Sequence, residues 1–179
     1  MNWFTEYTAE SAPPQSRRFL AATQKQMGYL PAAMARWAAS PQLLEGFGKM
    51  TALFDAATLD PLARETVIMT VATRNGCEVC VAMHTARLTA LEAPAEVVAA
   101  LREGGPVPDP RLEAVRVFTR QVLETAGAVG DDALEAFLAS GLTRANALEV
   151  VLGIGAYTMS TLANRMTGAP VDEQLAAFA

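Results

Sequence analysis

Stretches of apolar helical pattern alternate along this chain with short polar breaks of the kind that start and stop helices. Ser40-Pro41 places a capping hydroxyl before a proline at the first helical position and opens a helix predicted to run to about Ala57. Asp60-Pro61 repeats the device and opens a second helix to about Arg74. Asn75-Gly76, two residues that tolerate positive φ, ends it. The next helix is predicted from about Cys77 to about Leu91, followed by a short one over Pro94 to Arg102 that Gly104-Gly105 stops. After the stiff connector Pro106-Val107-Pro108-Asp109-Pro110, the Asp109-Pro110 pair opens a helix to about Ala126. Asp131 to Ser140 follows and ends at Gly141. Thr143 then caps a long helix to about Met166, stopped by Thr167-Gly168-Ala169-Pro170. The run Val67 to Val71 is β-prone in composition but lies inside a capped helical pattern, so no strand is expected. The predicted fold is all-α, a single-domain helical bundle. Residues 1 to about 15, with Trp3, Phe4 and Tyr7, read as an extended arm whose aromatics pack on the body of the protein rather than on a neighbouring subunit.

A length of 179 residues suits one domain spanning 1–179, because the segments on either side of the proline-rich connector are too small to stand alone. A chain of this size buries ~70% of its unfolded surface, and half the residues are apolar, so a core is available. The net charge of −5, with Arg17-Arg18 the only adjacent basic pair, leaves no basic stripe and argues against a nucleic-acid partner. The most apolar stretch, Val150 to Ala163, is too short to span a bilayer, and Met1 to Glu6 lacks the basic start and apolar run of a secretory leader. A cytoplasmic protein without a membrane partner is expected, and in that compartment a CxxC pair serves catalysis or metal binding more often than it staples a fold.

Both cysteines and the only histidine fall in one window, Cys77-Glu78-Val79-Cys80-Val81-Ala82-Met83-His84. On a helix, separations of three, four and seven residues place Cys77, Cys80 and His84 on one face. The two thiols can close a disulfide across one turn, and His84 lies within direct reach of Cys80. The Asn75-Gly76 break puts the thiols in a first helical turn, where free amides and the dipole favour a thiolate. A thiolate is the nucleophile of disulfide exchange and of attack on a peroxide, and an imidazole beside it is a general base that needs an orienting third group. Glu65, 12 residues before Cys77, supplies that group if the turn folds the two helices into a hairpin. The same four residues also form a zinc-ligand set by type, although ligands spread over seven residues of one helix rarely converge tetrahedrally. A packing-only role for two buried cysteines is the remaining alternative.

Elsewhere, Asn164 and Thr167 read as the end of a long helix, and Tyr157, Met159 and Met166 as core. Gly153-Ile154-Gly155 reads as a site of close helix packing. Leu59 to His84 and Leu142 to Thr167 share a cap followed by an apolar helix with an early glutamate (Glu65, Glu149), a weak internal echo.

Glu65-x11-Cys77-x2-Cys80-x3-His84 resembles the motif of the alkylhydroperoxidase D (AhpD-like) branch of the carboxymuconolactone decarboxylase superfamily. The likeness is good from about 40 to 91 and looser over Met27 to Pro31 and Asn164 to Pro170. It implies an AhpD-like helical fold, with a helix-turn-helix core carrying the CxxC at a helix N-terminus, and a homo-oligomer, trimer or hexamer. It also implies reduction of a hydroperoxide substrate through the cysteine pair, restored by an external dithiol or thiol-protein reductant, with no bound cofactor. Carried over by position, Cys80 is the attacking thiol, Cys77 the resolving thiol, and His84 with Glu65 the proton relay. Val79 departs from members that place histidine or tyrosine before the second cysteine. The lactone-decarboxylating branch generally lacks the cysteine pair, so that activity is the lesser expectation.

Overall fold

The predicted start signals become caps in the structure, a computed structural model that describes residues 3–179. The first two residues of the expected arm, Met1 and Asn2, lie outside the described residues. Nine helices form among the latter: α1 (Pro14–Met27), α2 (Ala32–Trp37), α3 (Pro41–Asp55), α4 (Pro61–Arg74), α5 (Glu78–Ala90), α6 (Ala95–Glu103), α7 (Pro110–Glu124), α8 (Asp131–Ala139) and α9 (Arg144–Thr167). A 3-10 helix, Glu173–Phe178, closes the chain. No strand occurs among the described residues, so the fold is all-α as expected. Ser40 Oγ accepts from Leu43 N at 3.3 Å, Asp60 Oδ1 from Ala63 N at 3.0 Å and Asp109 Oδ1 from Leu112 N at 2.8 Å. Thr143 and Asn146 form a reciprocal capping box at the start of α9. Each such cap contributes about 1 kcal/mol.

Two helices were not foreseen. α1 and α2 start after Pro13 and Pro31, neither of which can cap with a side chain. The arm is accordingly shorter than expected and ends before Pro14. It follows the body: Tyr7 N donates to Ala35 O at 3.2 Å, Glu6 pairs with Arg36 at 2.6 Å, and the Tyr7 side chain packs with α1 and α2. Trp3 is the exception, 81% exposed.

α4 is the central helix and packs against α5, α7 and α9. Every residue from Glu65 to Ala72 is buried, which explains why the β-prone run carries no alternation: it is enclosed on all sides. Phe54 of α3 and Val67 of α4 close on Gly153 of α9, where an added Cβ would lie 2.6 Å from Phe54 Cζ and 3.0 Å from Val67 Cγ1. Close packing is therefore the reason for that glycine. A smaller core of Leu20, Trp37 and Leu44 with Ala163 joins α1, α2 and α3 to the far end of α9. The internal echo is confined to its caps, since Leu59 to His84 forms two helices and Arg144–Thr167 one. Glu149 differs from Glu65 too: it accepts from Thr58 N and Leu59 N, tying α9 to the α3–α4 connection. Among the described residues no single helix is long and apolar enough to cross a membrane.

Candidate functional site: a dithiol at the mouth of an aromatic cavity

The turn between α4 and α5 is built to place two sulfurs. Asn75 ends α4, Gly76 adopts φ +61°, and Cys77 N returns to Ala72 O at 3.0 Å. α9 holds the turn from behind: Asn75 Nδ2 donates to Thr161 Oγ1 at 2.8 Å, and Arg165 donates to Asn75 O. Cys77 is the N-cap of α5 and its Sγ accepts from Cys80 N at 3.4 Å, so the sulfur takes the place a serine or aspartate oxygen usually holds. The thiols are free and buried, with Sγ atoms 2.8 Å apart. From α9, Asn164 Nδ2 reaches Cys80 Sγ at 3.2 Å and Cys77 Sγ at 3.6 Å, and Ser160 Oγ lies 3.7 Å from Cys80 Sγ.

These contacts separate the two thiols. The Cys80 thiol donates to Cys77 Sγ, which outweighs burial and, with the Cys80 amide, the Asn164 amide and the nearby His84 charge, brings Cys77 down to about 6. Cys80 moves the other way, pushed up by the same hydrogen bond, by burial and by the charge on Cys77. The pair thus gives up one proton readily and keeps the second, and the resting charge sits on Cys77. Cys80, for its part, is the sulfur that lines the cavity.

The hairpin brings Glu65 to His84 as its spacing suggested. His84 Nδ1 and Glu65 Oε2 are 2.6 Å apart, with both side chains buried. Because Nδ1 is engaged, Nε2 is the ring atom left to the cavity, where His84 is a lining residue. Arg87, one turn further along α5, brings Nε to 3.3 Å from Glu65 Oε1 and stands 4.0 Å from Asp55. The buried carboxylate is therefore shared between an imidazole and a half-exposed guanidinium. Tyr157 meets the His84 ring edge-on, centroids 5.2 Å apart.

All of this opens on a cavity of about 500 Å³. Phe19, Trp37, Phe47 and Tyr157 supply aromatic wall, Met34 and Met83 add sulfur-bearing wall, and Val79 lines it at the position where the family pattern allows histidine or tyrosine. Four residues of the site escaped the sequence reading. Asn164 does not merely end α9 but donates to both sulfurs, which corrects its expected capping role. Ser160, Arg87 and Tyr157 join it, the last being buried as expected yet a wall of the cavity. The missed signal is a polar stripe, Tyr157, Ser160 and Asn164, at i, i+3 and i+7 on an apolar helix. Thr167 Oγ1 bonds within α9 to Ala163 O, and Met166 is 69% exposed rather than core. Among the described residues no three acidic, histidine or cysteine side chains are grouped as a metal site, and His84 Nδ1 lies against Glu65.

The carboxymuconolactone decarboxylase family model matches residues 38–121, the segment that holds Glu65, Cys77, Cys80 and His84. The fold matches the alkylhydroperoxidase AhpD core structure of an uncharacterized peroxidase-related protein from Ralstonia eutropha JMP134, with a TM-score of 0.84 over 96% of this chain and 93% of that one, at 19% identity. The fold is AhpD-like, and residues 38–121 carry the carboxymuconolactone decarboxylase family pattern. An uncharacterized peroxidase-related protein from Silicibacter sp. TM1040 is similar over 98% of this AhpD-like chain and 97% of its own, with a TM-score of 0.79 and 18% identity. The debrominase Bmp8, solved as a cysteine-to-alanine variant with 2,3,4-tribromopyrrole, is similar over 92% of this chain and 89% of its own, with a TM-score of 0.74 and 15% identity. At these identities the likeness to the solved structures is one of fold. No curated protein matches the chain.

Proposed function

We propose that this AhpD-like protein is a thiol peroxidase that reduces organic hydroperoxides through Cys80 and Cys77 and is restored by an external dithiol or thiol protein. The observation that carries the reading is the placement of one sulfur of a proton-sharing pair, Cys80, on a cavity that also receives His84, whose far nitrogen is held by Glu65. In the resting pair one proton lies between the sulfurs and the other on His84, supported by the Glu65 carboxylate. As the peroxide enters, the shared proton passes to Cys77 Sγ, and Cys80 Sγ attacks the terminal peroxide oxygen. The S–O bond forms, the O–O bond breaks, and the departing oxygen takes the His84 proton to leave as an alcohol. Cys77 then displaces water from the Cys80 sulfenic acid and closes the disulfide. Cys77 and Cys80 lose two electrons in all, and the peroxide gains them.

The exposed apolar residues Leu148, Val151, Leu162 and Met166 along α9 support the homo-oligomer that the resemblance implies. The test of the catalytic reading is a thiol titration with and without a small excess of cumene hydroperoxide. Two thiols per chain should disappear rapidly and return with dithiothreitol. Cys80→Ser should abolish turnover, and Cys77→Ser should trap a sulfenic acid that dimedone labels. Unchanged thiols in the wild type, or equal peroxide consumption by wild type and Cys80→Ser, overturns the reading.

A further inference from the structure

Tyr157 has an open hydroxyl in a molecule that satisfies or seals most of its buried polar atoms. Its ring is fixed edge-on by Phe47, Phe54 and His84, at centroid distances of 6.0, 6.2 and 5.2 Å. Its oxygen has no hydrogen-bond partner among the described residues, yet it is absent from the buried orphans, which include Trp37 Nε1 and Asn164 Oδ1. The residue is only 3% exposed and lines the same cavity as Cys80 and His84, and the charges of Glu65 and Cys80 act on its phenol. We propose that Tyr157 is a further catalytic residue, its O–H donating a hydrogen bond to the leaving oxygen of the peroxide while the O–O bond breaks. The proposal rests on the thiol-peroxidase reading and adds to it the group that receives the developing charge.

Three features suit the role. The hydroxyl is the only polar atom of a ring held by three aromatic neighbours, so it is positioned before the substrate arrives. Burial, and then the negative charge of Glu65, hold the phenol well above its ordinary range, so it remains an O–H donor at any working pH. His84 stands beside it to supply the proton itself. Tyr157 therefore keeps its hydrogen, and the balance of the step is unchanged: Cys80 Sγ gains oxygen, the alkoxide leaves, and His84 Nε2 protonates it. A donor aimed at a forming oxyanion is worth most where the leaving group is a poor one.

The experiment follows oxidation of the reduced protein in single turnover, comparing wild type with Tyr157→Phe, which keeps the ring and its packing. tert-Butyl hydroperoxide, whose alkoxide is a poor leaving group, should react about 10²-fold more slowly with the variant. Peracetic acid, which expels acetate, should lose far less. Alkylation of the thiols by iodoacetamide, in which no oxygen leaves, should proceed at the wild-type rate, and that control detects any general disturbance of the site. Equal losses with both peroxides, a matching loss in alkylation, or no loss at all overturns the role of Tyr157. A wild-type protein that reacts with neither peroxide overturns the underlying peroxidase reading instead.

Discussion

Removing the Cys80 thiol should strip Cys77 of much of its acidity. Cys77 is held near 6, against 9 for an ordinary thiol, and the largest cause is the hydrogen bond donated by Cys80 across 2.8 Å. A hydrogen bond to a charged group is worth about 1.5–3 kcal/mol, and one pH unit corresponds to about 1.4 kcal/mol. Cys80→Ala should therefore raise the midpoint of Cys77 by about 1–2 pH units. At pH 7 the wild-type thiol is about nine-tenths ionised, and the variant should be roughly one-half to one-tenth ionised. Cys80→Ser keeps a donor at the same position and should retain most of the acidity. The assay is the pH dependence of iodoacetamide labelling at Cys77 in fully reduced protein, read by peptide mass. A Cys80→Ala midpoint equal to or below that of the wild type refutes the idea that the neighbouring thiol sets the charge.

The reduced protein should show an unusual stability profile. The folded value of Cys77 lies below its unfolded value and that of Cys80 above, so from pH ~6 to ~9 the unfolded chain binds two thiol protons and the folded chain one. Stability then rises by about 1.4 kcal/mol per pH unit, reverses above pH ~9, and is lost as pH falls through about 6. Urea unfolding of reduced protein, with the Cys77→Ser/Cys80→Ser double variant subtracted, checks this, and a steady fall from pH 6 upward contradicts it. Gly153→Ala should destabilise by about 1–3 kcal/mol, because its methyl must displace the Phe54 ring and Val67; an unchanged Tm shows that the α3–α4–α9 contact is looser than described. Glu65→Gln removes the charge that faces His84 and Arg87 and should slow peroxide consumption about 10²-fold without loss of the fold. Circular dichroism and steady-state rates measure the two together, and a wild-type rate removes Glu65 from the relay.

Most of the helical frame was legible because its boundaries are chemical. Ser40, Asp60, Asp109 and Thr143 each carry an oxygen that captures an amide of the first turn, and α5, α6 and α8, which lack such a cap, are marked instead by the positive-φ glycines Gly76, Gly104 and Gly141 at their ends. α1 and α2 begin after prolines with no capping oxygen, and α1 buries fully only Ser16 and Leu20, so neither cap nor stripe announces it. The site divides along the same line. Cys77, Cys80, His84 and Glu65 lie close in sequence and declare themselves through helical spacing, and the hairpin does bring Glu65 to His84. Asn164 is 84 residues from Cys80 and meets it only because α9 packs behind the turn. A buried asparagine in an apolar helix has the same local sequence whether it donates to a sulfur or to its own backbone, and only the packing decides.

The burial of Cys77 behind Cys80 has a kinetic consequence. In the proposed cycle the incoming reductant meets the same sulfur as the peroxide, since Cys80 is the one lining the cavity. Attack there expels Cys77, whose departing sulfur is still met by the Cys80 backbone amide and the Asn164 side-chain amide, and these donors favour its leaving as an anion. On that cycle, oxidant and reductant would visit one entrance in turn and never together. Double-reciprocal plots should consist of parallel lines, and excess of either partner should hold the enzyme back by occupying the doorway the other needs.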